Sequence, residues 1–195
     1  SGGEMVVSVL PSKVSMLPHV QSELGEKLVY AARQGDSAQV KRLLKSKALD
    51  VDYVAEDDFT ALRAACFEGH TDAARLLLKA KAMVDLQGGN GAGYYSALYS
   101  ACQKGRLECV QLLLGAKATV DLAVKDGSTP LIKAADKGYA PIAHLLLGAK
   151  AMVNQANNKG GTALIVAAAE GYAPVVRLLL EAKASTTART KDGDT

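Results

Sequence analysis

The residue types that most often carry catalysis or metal binding are few in this 195-residue sequence, and none of them falls into a reactive spacing. Three histidines and three cysteines occur without a Cys-X-X-Cys pair or the Cys/His spacing of a zinc site. They are His19, His70, His144, Cys66, Cys102 and Cys109. Because no nucleophile is paired with a base, the sequence predicts a protein that is not an enzyme and that holds no cofactor and no metal.

The cysteines are better explained as packing residues. Cys66 and Cys102 lie 36 residues apart, each directly after an alanine, and Cys109 replaces a branched apolar residue. A reactive thiol needs a basic and partly exposed setting, whereas these positions predict burial. Three cysteines without a disulfide pattern indicate a reducing compartment, so we expect an intracellular protein, cytoplasmic or nuclear.

The glycine-rich segment 88–93 has the composition of a phosphate-binding loop but not its context, since it lacks a Lys-Ser/Thr ending and follows no buried strand. The overall charge is small, with 23 Lys and Arg interspersed among 20 Asp and Glu, and no nucleic acid partner is expected. The longest apolar stretch near the start, residues 6–10, is too short to cross a membrane, so no membrane insertion is expected.

Self-comparison of the sequence reveals a repeat. A glycine, a run of three leucines and a Thr or Ser each recur at separations of 33 to 36 residues. The glycines are Gly35, Gly69, Gly105, Gly138 and Gly171, the leucine runs begin at Leu76, Leu112, Leu145 and Leu178, and the hydroxyl residues are Thr60, Ser96, Thr129, Thr162 and Thr195. Because independent positions keep one period, the sequence predicts a stack of similar units and not a generic helical bundle.

Each unit predicts two short helices. A Thr or Ser caps the first helix, most clearly at Thr129, where Pro130 occupies the first helical position. Small residues follow, and the glycine then suits the positive φ of a helix exit. The second helix carries the leucine run, and a polar turn such as 125–128 leads to the next unit.

These motifs resemble the ankyrin repeat, with 126–131 as the nearest match and residues 25–195 covered by the resemblance. The resemblance implies an all-α, ankyrin-repeat solenoid in which helix–turn–helix units are joined by short β-hairpin-like loops. It also implies a non-catalytic scaffold that binds a protein or peptide partner on a concave face of hairpin tips and first helices. The five repeats are expected at about 25–54, 55–90, 91–123, 124–156 and 157–189, with the start of a further repeat at 190–195.

The two ends differ from the internal units. Residues 1–24 lack the period, Pro11 and Pro18 interrupt them, and we expect a leader that is partly ordered or packed on the first repeat. The first unit resembles a capping repeat, because Lys41 and Arg42 precede its leucines. Residues 192–195 match the opening of another unit, so we expect the array to continue, the last helix pair to expose apolar surface, and self-association to be possible through this uncapped C-terminal end.

Three departures from the ankyrin pattern bear on function. The histidine usually found after the Thr-Pro-Leu motif is replaced by Arg63, Tyr99, Ile132 and Ile165 in successive repeats. The connection 86–95 is three residues longer than its neighbours, which predicts an enlarged hairpin tip. Lysine stands where glycine is expected after each second helix, at Lys47, Lys81, Lys117, Lys150 and Lys183. These lysines are interpreted either as a capping and solubility device or as a basic ridge for an anionic partner.

Partner-binding positions follow from the resemblance, carried over residue by residue to the hairpin tips and to the last turn of each first helix. They are Phe59, Arg63, Phe67, Glu68, Tyr94, Tyr95, Tyr99, Gln103, Lys104, Lys125, Asp126, Asp136 and Lys137. Aromatic residues are only 5% of the chain, yet they concentrate in repeats two and three, so we predict a recognition groove there. The competing interpretation is that Tyr94 and Tyr95 pack within the enlarged loop.

Two further hypotheses remain open at this point. The chain could be the targeting segment of a larger enzyme or channel. Alternatively, Phe59, Phe67, Tyr94 and Tyr95 could form an aromatic cage for a methylated lysine, since cations are attracted to aromatic faces.

Overall fold

The computed structural model describes residues 13–88 and 94–190, and within them every regular element is an α-helix. The helices are α1 Lys13–Gln34, α2 Ser37–Leu43, α3 Ala61–Glu68, α4 Thr71–Lys79, α5 Ala97–Lys104, α6 Leu107–Gly115, α7 Pro130–Asp136, α8 Ala140–Gly148, α9 Ala163–Ala169 and α10 Ala173–Glu181. In the same residues, extended pairing is limited to isolated bridges such as Gly88 with Tyr95.

The helices stack in two layers. The odd-numbered helices α1 to α9 contact one another in chain order, and so do the even-numbered helices α2 to α10. Each odd-numbered helix also packs against the even-numbered helix that follows it, so the described residues form five helix pairs, each packed against the next. The predicted all-α solenoid of ankyrin type is therefore confirmed.

The first helix of each internal repeat begins at the predicted hydroxyl cap. Thr60 Oγ1 accepts a hydrogen bond from the backbone N–H of Arg63 at 3.1 Å, and Ser96, Thr129 and Thr162 accept the equivalent bond in their own repeats. Each cap satisfies a backbone donor that helix geometry leaves without a partner.

The core is a continuous column of small and leucine side chains. The middle leucine of each run, at Leu77, Leu113, Leu146 and Leu179, is fully buried. Alanines of the first helices, such as Ala65 and Ala134, are also fully buried, and their small size lets the helices approach closely. Cys66, Cys102 and Cys109 belong to this interior, as predicted.

Each second helix from α4 onward ends in the same six-residue motif. At α4, the N–H of Lys81 bonds to the carbonyl of Leu78 at 3.0 Å and that of Ala82 bonds to Leu77 at 3.1 Å. This is the Schellman pattern, which requires a left-handed residue at the position of Lys81. Lysine adopts it in all four copies, with φ of 68° at Lys81, 66° at Lys117, 69° at Lys150 and 62° at Lys183.

One expectation about the N-terminal part is wrong. Lys47 does not share the left-handed conformation of the other four lysines, because α2 ends earlier, at Leu43, and is followed by a different turn. Helix α1 begins at Lys13 and passes through Pro18, so the part of the leader from residue 13 onward is continuous with the first helix of the first repeat.

The residue after each turn glycine packs on the glycine of the preceding repeat. His70 lies over Gly35, Arg106 over Gly69, Tyr139 over Gly105 and Tyr172 over Gly138. The Nε2 atom of His70 is also 3.0 Å from the carbonyl oxygen of Arg33. These side chains are therefore structural links between repeats.

A second set of links joins the outer edge of the stack. Asp52 accepts a hydrogen bond from the N–H of Met83 at 2.8 Å, and Asp85 accepts one from the N–H of Thr119 at 2.9 Å. Asp121 and Asn154 repeat the same contact with Met152 and Ser185. One side chain per repeat thus fixes the backbone of the next.

Candidate functional site

The hairpin tips share one backbone requirement, a left-handed residue at the turn. It is met by glycine in repeats four and five, at Gly127 and Gly160, and by Asp58 with φ 67° and Tyr94 with φ 53° in repeats two and three. A backbone bond closes the tip, for example from the N–H of Val124 to the carbonyl of Ser128 at 3.1 Å. The tips therefore place residues 59, 95, 128 and 161 directly before the N-cap of each first helix.

An aromatic and cationic cluster lies at repeats one to three. The rings of Phe59 and Phe67 meet edge to face, with centroids 5.5 Å apart. The guanidinium of Arg63 lies 3.9 Å from the centroid of Phe59, and that of Arg33 lies 4.8 Å from it. Arg33 is also paired with Asp57 at 2.6 Å. The cluster therefore joins three elements: α1, the hairpin tip of repeat two and α3.

Arg63 is the centre of this cluster and is buried, with 7% of its surface exposed. Its Nη1 donates to the carbonyl of Asp58 at 2.9 Å and its Nε donates to Ser100 Oγ at 3.2 Å. Burial lowers the pKa of the guanidinium, while Tyr95, Asp57 and Asp58 oppose that shift. Arginine remains charged at neutral pH, so a buried cation is held between two repeats.

The enlarged loop joins the cluster through Tyr95. Its ring lies 5.5 Å from that of Tyr99, and Arg63 lies 5.0 Å from its centroid. Gln87 closes the base of the loop by donating to the carbonyl of Tyr94 at 2.6 Å. Tyr95 therefore packs inward, whereas Tyr94 is 49% exposed; the loop tip, 89–93, lies outside the described residues.

The structure separates the expected binding residues into two classes. Arg63 and Tyr99 are buried, with 7% and 3% of their surface exposed, because both extend beneath neighbouring side chains. The expectation that these two residues contact a partner directly is therefore corrected: they support the residues that reach the surface. The others reach the surface at least in part, namely Phe59, Phe67, Glu68, Tyr94, Tyr95, Gln103, Lys104, Lys125, Asp126, Asp136 and Lys137. Phe67 and Lys104 lie together, with the ammonium 4.5 Å from the ring centroid.

The geometry argues against the aromatic cage. The face of Phe59 is covered by Arg63 and Arg33, and Tyr95 faces Arg63 as well. Lys104 covers the ring of Phe67. A cage needs open aromatic faces for an incoming cation, whereas these rings already meet cations of the protein itself.

A charged cluster continues the surface in repeat four. Lys133 and Lys137 both contact the Asp136 carboxylate, at 3.0 and 3.3 Å. Burial alone would raise the pKa of Asp136, but the hydrogen bonds and charges of the two lysines lower it overall. Lys125 and Asp126 stand at the neighbouring hairpin tip, where Asp126 Oδ1 accepts from the N–H of Ser128 at 2.8 Å.

Two cavities that the aromatic pattern did not predict lie beside α7 and α9. Residues Asn157, Lys159, Ile165 and Val166 line them, together with Asp136. The sequence signal that could have revealed them is the decrease in side-chain size between repeats two and five at equivalent positions.

The thiols do not form a reactive site. A hydrogen bond with Cys66 lowers the pKa of Cys109 to about 7, against the effect of burial. Only 1% of Cys109 is exposed, and Cys66 and Cys102 are fully enclosed. A reagent in solution therefore has no access to them in the folded state. Across residues 13–88 and 94–190, no group of histidine, cysteine and acidic side chains is arranged to hold a metal ion.

Comparison with known proteins agrees with this architecture. A family model of ankyrin repeats (3 copies) matches residues 28–126 and 115–190. Cortactin-binding protein 2 of Rattus norvegicus is 45% identical over 64 residues, which is 33% of this chain and 4% of that protein. The protein of the same name in Dasypus novemcinctus is 47% identical over 58 residues, or 30% of this chain and 4% of the relative.

The chain thus aligns with about 4% of the length of these relatives. In the part of the chain that the structure describes, no helix has both the length and the apolar character needed to cross a bilayer.

Proposed function

The chain belongs to the ankyrin repeat family, and from this premise we propose that it is a non-catalytic scaffold that binds a peptide or protein surface on its concave face. The relatives named cortactin-binding protein 2 are themselves named for a protein partner, which supports a protein as the class of ligand. Within the described residues, the three cysteines are free, buried thiols, and this supports an intracellular setting in the cytoplasm or nucleus.

The observation that carries the proposal is the rigid support beneath the aromatic side chains of repeats two and three. Arg63 holds Phe59 and Tyr95 from below, and its own position is fixed by Ser100 and the carbonyl of Asp58. Aromatic side chains held in one conformation give contact area at little entropic cost on binding.

Phe67 is the expected anchor of the surface. It is partly exposed, it is fixed edge to face against Phe59, and Lys104 lies over its ring. Glu68 and Gln103 flank it, while Lys125, Asp126, Asp136 and Lys137 extend the surface toward repeat four. This arrangement matches a hot spot with an aromatic centre and a polar rim.

A pull-down from cell extract with the Phe67→Ala/Tyr95→Ala double variant tests the proposal, since loss of partners captured by the wild type is expected. The matched control is Met83→Ala/Met152→Ala, which removes two exposed apolar side chains, 58% and 57% accessible, on the other edge of the stack. If the Phe67→Ala/Tyr95→Ala variant captures the same partners as the Met83→Ala/Met152→Ala control, a groove at repeats two and three is contradicted. A thermal melt of each variant separates lost binding from lost folding.

A second candidate function is that of a targeting segment in a larger enzyme or channel. It is supported by the small share of the relatives' length that the chain matches. The test is whether a fusion of residues 13–190 to a reporter redirects the reporter in cells, with the Phe67→Ala/Tyr95→Ala fusion as the control for the concave face.

Self-association is proposed through the exposed face of α9 and α10. Ala168 is exposed although the equivalent Cys66, Cys102 and Ala135 are fully buried, and Leu180 is 45% exposed. Apolar surface of this kind favours contact with a second copy. Sedimentation at increasing concentration is expected to show association that Leu180→Lys abolishes, whereas a monomer at all concentrations would contradict the proposal.

A further inference from the structure

The outer surface of the second helices is unevenly charged along the stack. Each second helix contains one buried leucine, at Leu43, Leu77, Leu113, Leu146 and Leu179. The residues two positions before and two positions after this leucine are exposed in every repeat. The earlier position holds Lys41, Arg75, Gln111, His144 and Arg177, and the later one holds Lys45, Lys79, Gly115, Gly148 and Glu181. Both positions are cationic only in repeats one and two.

Repeats one and two thereby carry a basic patch, which we define as the cations of residues 41–47 and 75–81. These two segments contain seven cations and no acidic or aromatic residue. Helices α2 and α4 pack side by side, and packed helices have axes about 8–10 Å apart. This separation is close to the Debye length of about 8 Å in physiological salt, so the fields of the cations add. All seven are exposed, namely Lys41, Arg42, Lys45, Lys47, Arg75, Lys79 and Lys81.

The charges of the basic patch are not neutralised by ion pairs. Across residues 13–88 and 94–190, each ion pair joins residues outside the patch, and Arg42 donates a hydrogen bond to the uncharged side chain of Gln39. The carboxylates that border the patch along the chain stand at its margins. They are Asp36 and Asp72 at the starts of α2 and α4, and Asp50, Asp52 and Asp85 after the exit turns. The patch itself is therefore a local excess of positive charge.

Two of those bordering carboxylates are engaged with the backbone. Asp52 accepts from the N–H of Met83 at 2.8 Å, and Asp85 accepts from the N–H of Thr119 at 2.9 Å. These bonds fix each carboxylate toward the next repeat. The exit-turn lysines alone do not explain the patch, because Lys117, Lys150 and Lys183 occur in the other repeats as well. The concentration of charge comes from the two exposed helix positions next to them.

The chemistry of the patch favours an anionic lipid surface. Five of its seven cations are lysines, and within the described part of the chain no printed hydrogen bond or ion pair fixes their ammonium groups. Mobile point charges suit a mobile array of phosphate groups, whereas recognition of one fixed phosphate favours rigid arginine forks. A nucleic acid strand would be held by base stacking on aromatic side chains, and the patch has none. Clusters of about four to eight lysines and arginines hold proteins to anionic lipids.

We propose that the basic patch of repeats one and two, on the outer surface of α2 and α4, binds the surface of a membrane that contains anionic phospholipids. The contact is peripheral and electrostatic: the ammonium and guanidinium groups meet lipid phosphates and carboxylates, and no part of the chain crosses the bilayer. This inference goes beyond the proposed scaffold function. The patch shares no residue with the aromatic cluster, so a chain bound to a membrane keeps its concave face free for a protein partner.

Co-sedimentation of the full chain with vesicles tests the inference. The probes are vesicles of phosphatidylcholine alone and vesicles with about one third phosphatidylserine, the common anionic lipid of cytoplasmic leaflets. Binding to the anionic vesicles is expected to be at least about tenfold tighter, and to weaken as salt is raised from low to above physiological concentration.

Two double variants with the same change in net charge locate the binding surface. Lys45→Glu/Lys79→Glu reverses two charges of the patch, and both substitutions introduce the residue type found at the equivalent Glu181. It is expected to weaken binding to anionic vesicles by at least about tenfold. Lys150→Glu/Lys183→Glu reverses two exposed lysines in repeats four and five, at least about two helix spacings away, and is expected to change binding by less than about threefold.

A third variant guards against loss of folding. Lys41→Gln/Arg75→Gln removes two other charges of the patch and introduces the residue type of Gln111. Weaker vesicle binding by this variant, with a thermal melt like that of wild type, is expected. Wild-type binding by both patch variants would overturn the inference.

Three other results would also overturn it. Equal weakening by Lys45→Glu/Lys79→Glu and Lys150→Glu/Lys183→Glu would mean that net charge and not the patch is responsible. Equal binding to neutral and anionic vesicles would exclude an electrostatic contact. Failure to bind either vesicle excludes a lipid partner, and binding of RNA or polyglutamate that depends on Lys45 and Lys79 would then assign the patch to that class of polyanion. The pull-down with Phe67→Ala/Tyr95→Ala reports on the concave face independently of all these results.

Discussion

The guanidinium of Arg63 lies 3.9 Å from the ring centroid of Phe59, so a buried charge packs against a partly exposed aromatic side chain. Repeats four and five place Ile132 and Ile165 at the position of Arg63 and need no such support. The difference gives repeats two and three a buried cation packed against aromatic rings, a contact that the isoleucines of repeats four and five cannot make.

Replacing Arg63 with alanine is expected to destabilise the fold by about 2–4 kcal/mol. The change removes contacts with two aromatic rings and two hydrogen bonds, and it leaves Ser100 Oγ and the carbonyl of Asp58 without this donor. Urea unfolding followed by circular dichroism measures the loss. The exposed Arg75→Ala is the control, with an expected change within about 0.5 kcal/mol, and a similar small change for Arg63→Ala would contradict a structural role.

Replacing Lys117 with glycine is expected to stabilise the protein by up to about 1 kcal/mol. Lys117 has φ 66°, and a left-handed conformation costs a side-chain-bearing residue about 1–2 kcal/mol, which glycine avoids at a smaller entropic cost. Thermal unfolding by calorimetry measures the gain. Lys47→Gly, at a position without positive φ, is expected to give no gain, so equal stabilisation by both changes would rule out the conformational explanation.

Gly138→Ala is expected to be more destabilising than Gly171→Ala. Both glycines have positive φ, at 69° and 75°, so each substitution carries the conformational cost of about 1–2 kcal/mol. A β-carbon on Gly138 would also come within 2.6 Å of the Tyr172 ring, whereas one on Gly171 meets nothing within 4 Å. Equal losses in chemical denaturation would show that the packing of Tyr172 on Gly138 is unimportant.

The stability contributed by Asp136 is expected to disappear in acid. The two lysines lower its pKa in the folded state, so its carboxylate stabilises the fold above the pKa of the unfolded chain, and this stability is lost as the pH falls through the lowered pKa. Asp136→Asn should therefore be less stable than wild type at pH 7, and the difference should vanish once the solution is acidic enough to protonate Asp136 in the folded state. Unfolding curves across this range provide the measurement, and a difference independent of pH would contradict an ionic origin.

Much of the fold could be predicted from local sequence because each unit carries its own signals. Thr129 with Pro130 marks a helix start, Gly138 marks its end, and the leucine run beginning at Leu145 marks the second helix. The lysines that follow the second helices show where prediction from local sequence fails. The same residue type follows all five second helices, yet Lys47 differs because the conformation depends on where α2 ends.

The candidate site was less predictable, because it depends on side chains from different repeats. Aromatic composition predicted a recognition groove at repeats two and three, which stays a prediction, and it did not reveal the burial of Arg63 and Tyr99 among those aromatic rings. A sequence gives the type of each side chain, whereas its exposure depends on what the neighbouring repeat places above it. For the same reason the cavities that Val166 lines could not be predicted, because their walls come from two neighbouring repeats.

By itself, the sequence determined the repeat, the order of helices, the buried leucines and alanines, and the absence of a recognisable catalytic motif, because these depend on local periodicity and residue type. Only the tertiary structure decided that Arg63 packs against both Phe59 and Tyr95, that these rings already face a cation of the protein itself, and that a cavity lies beside Ile165. These features arise where one repeat meets the next, at residues more than thirty positions apart, and packing alone determines which side chains fill the space between them.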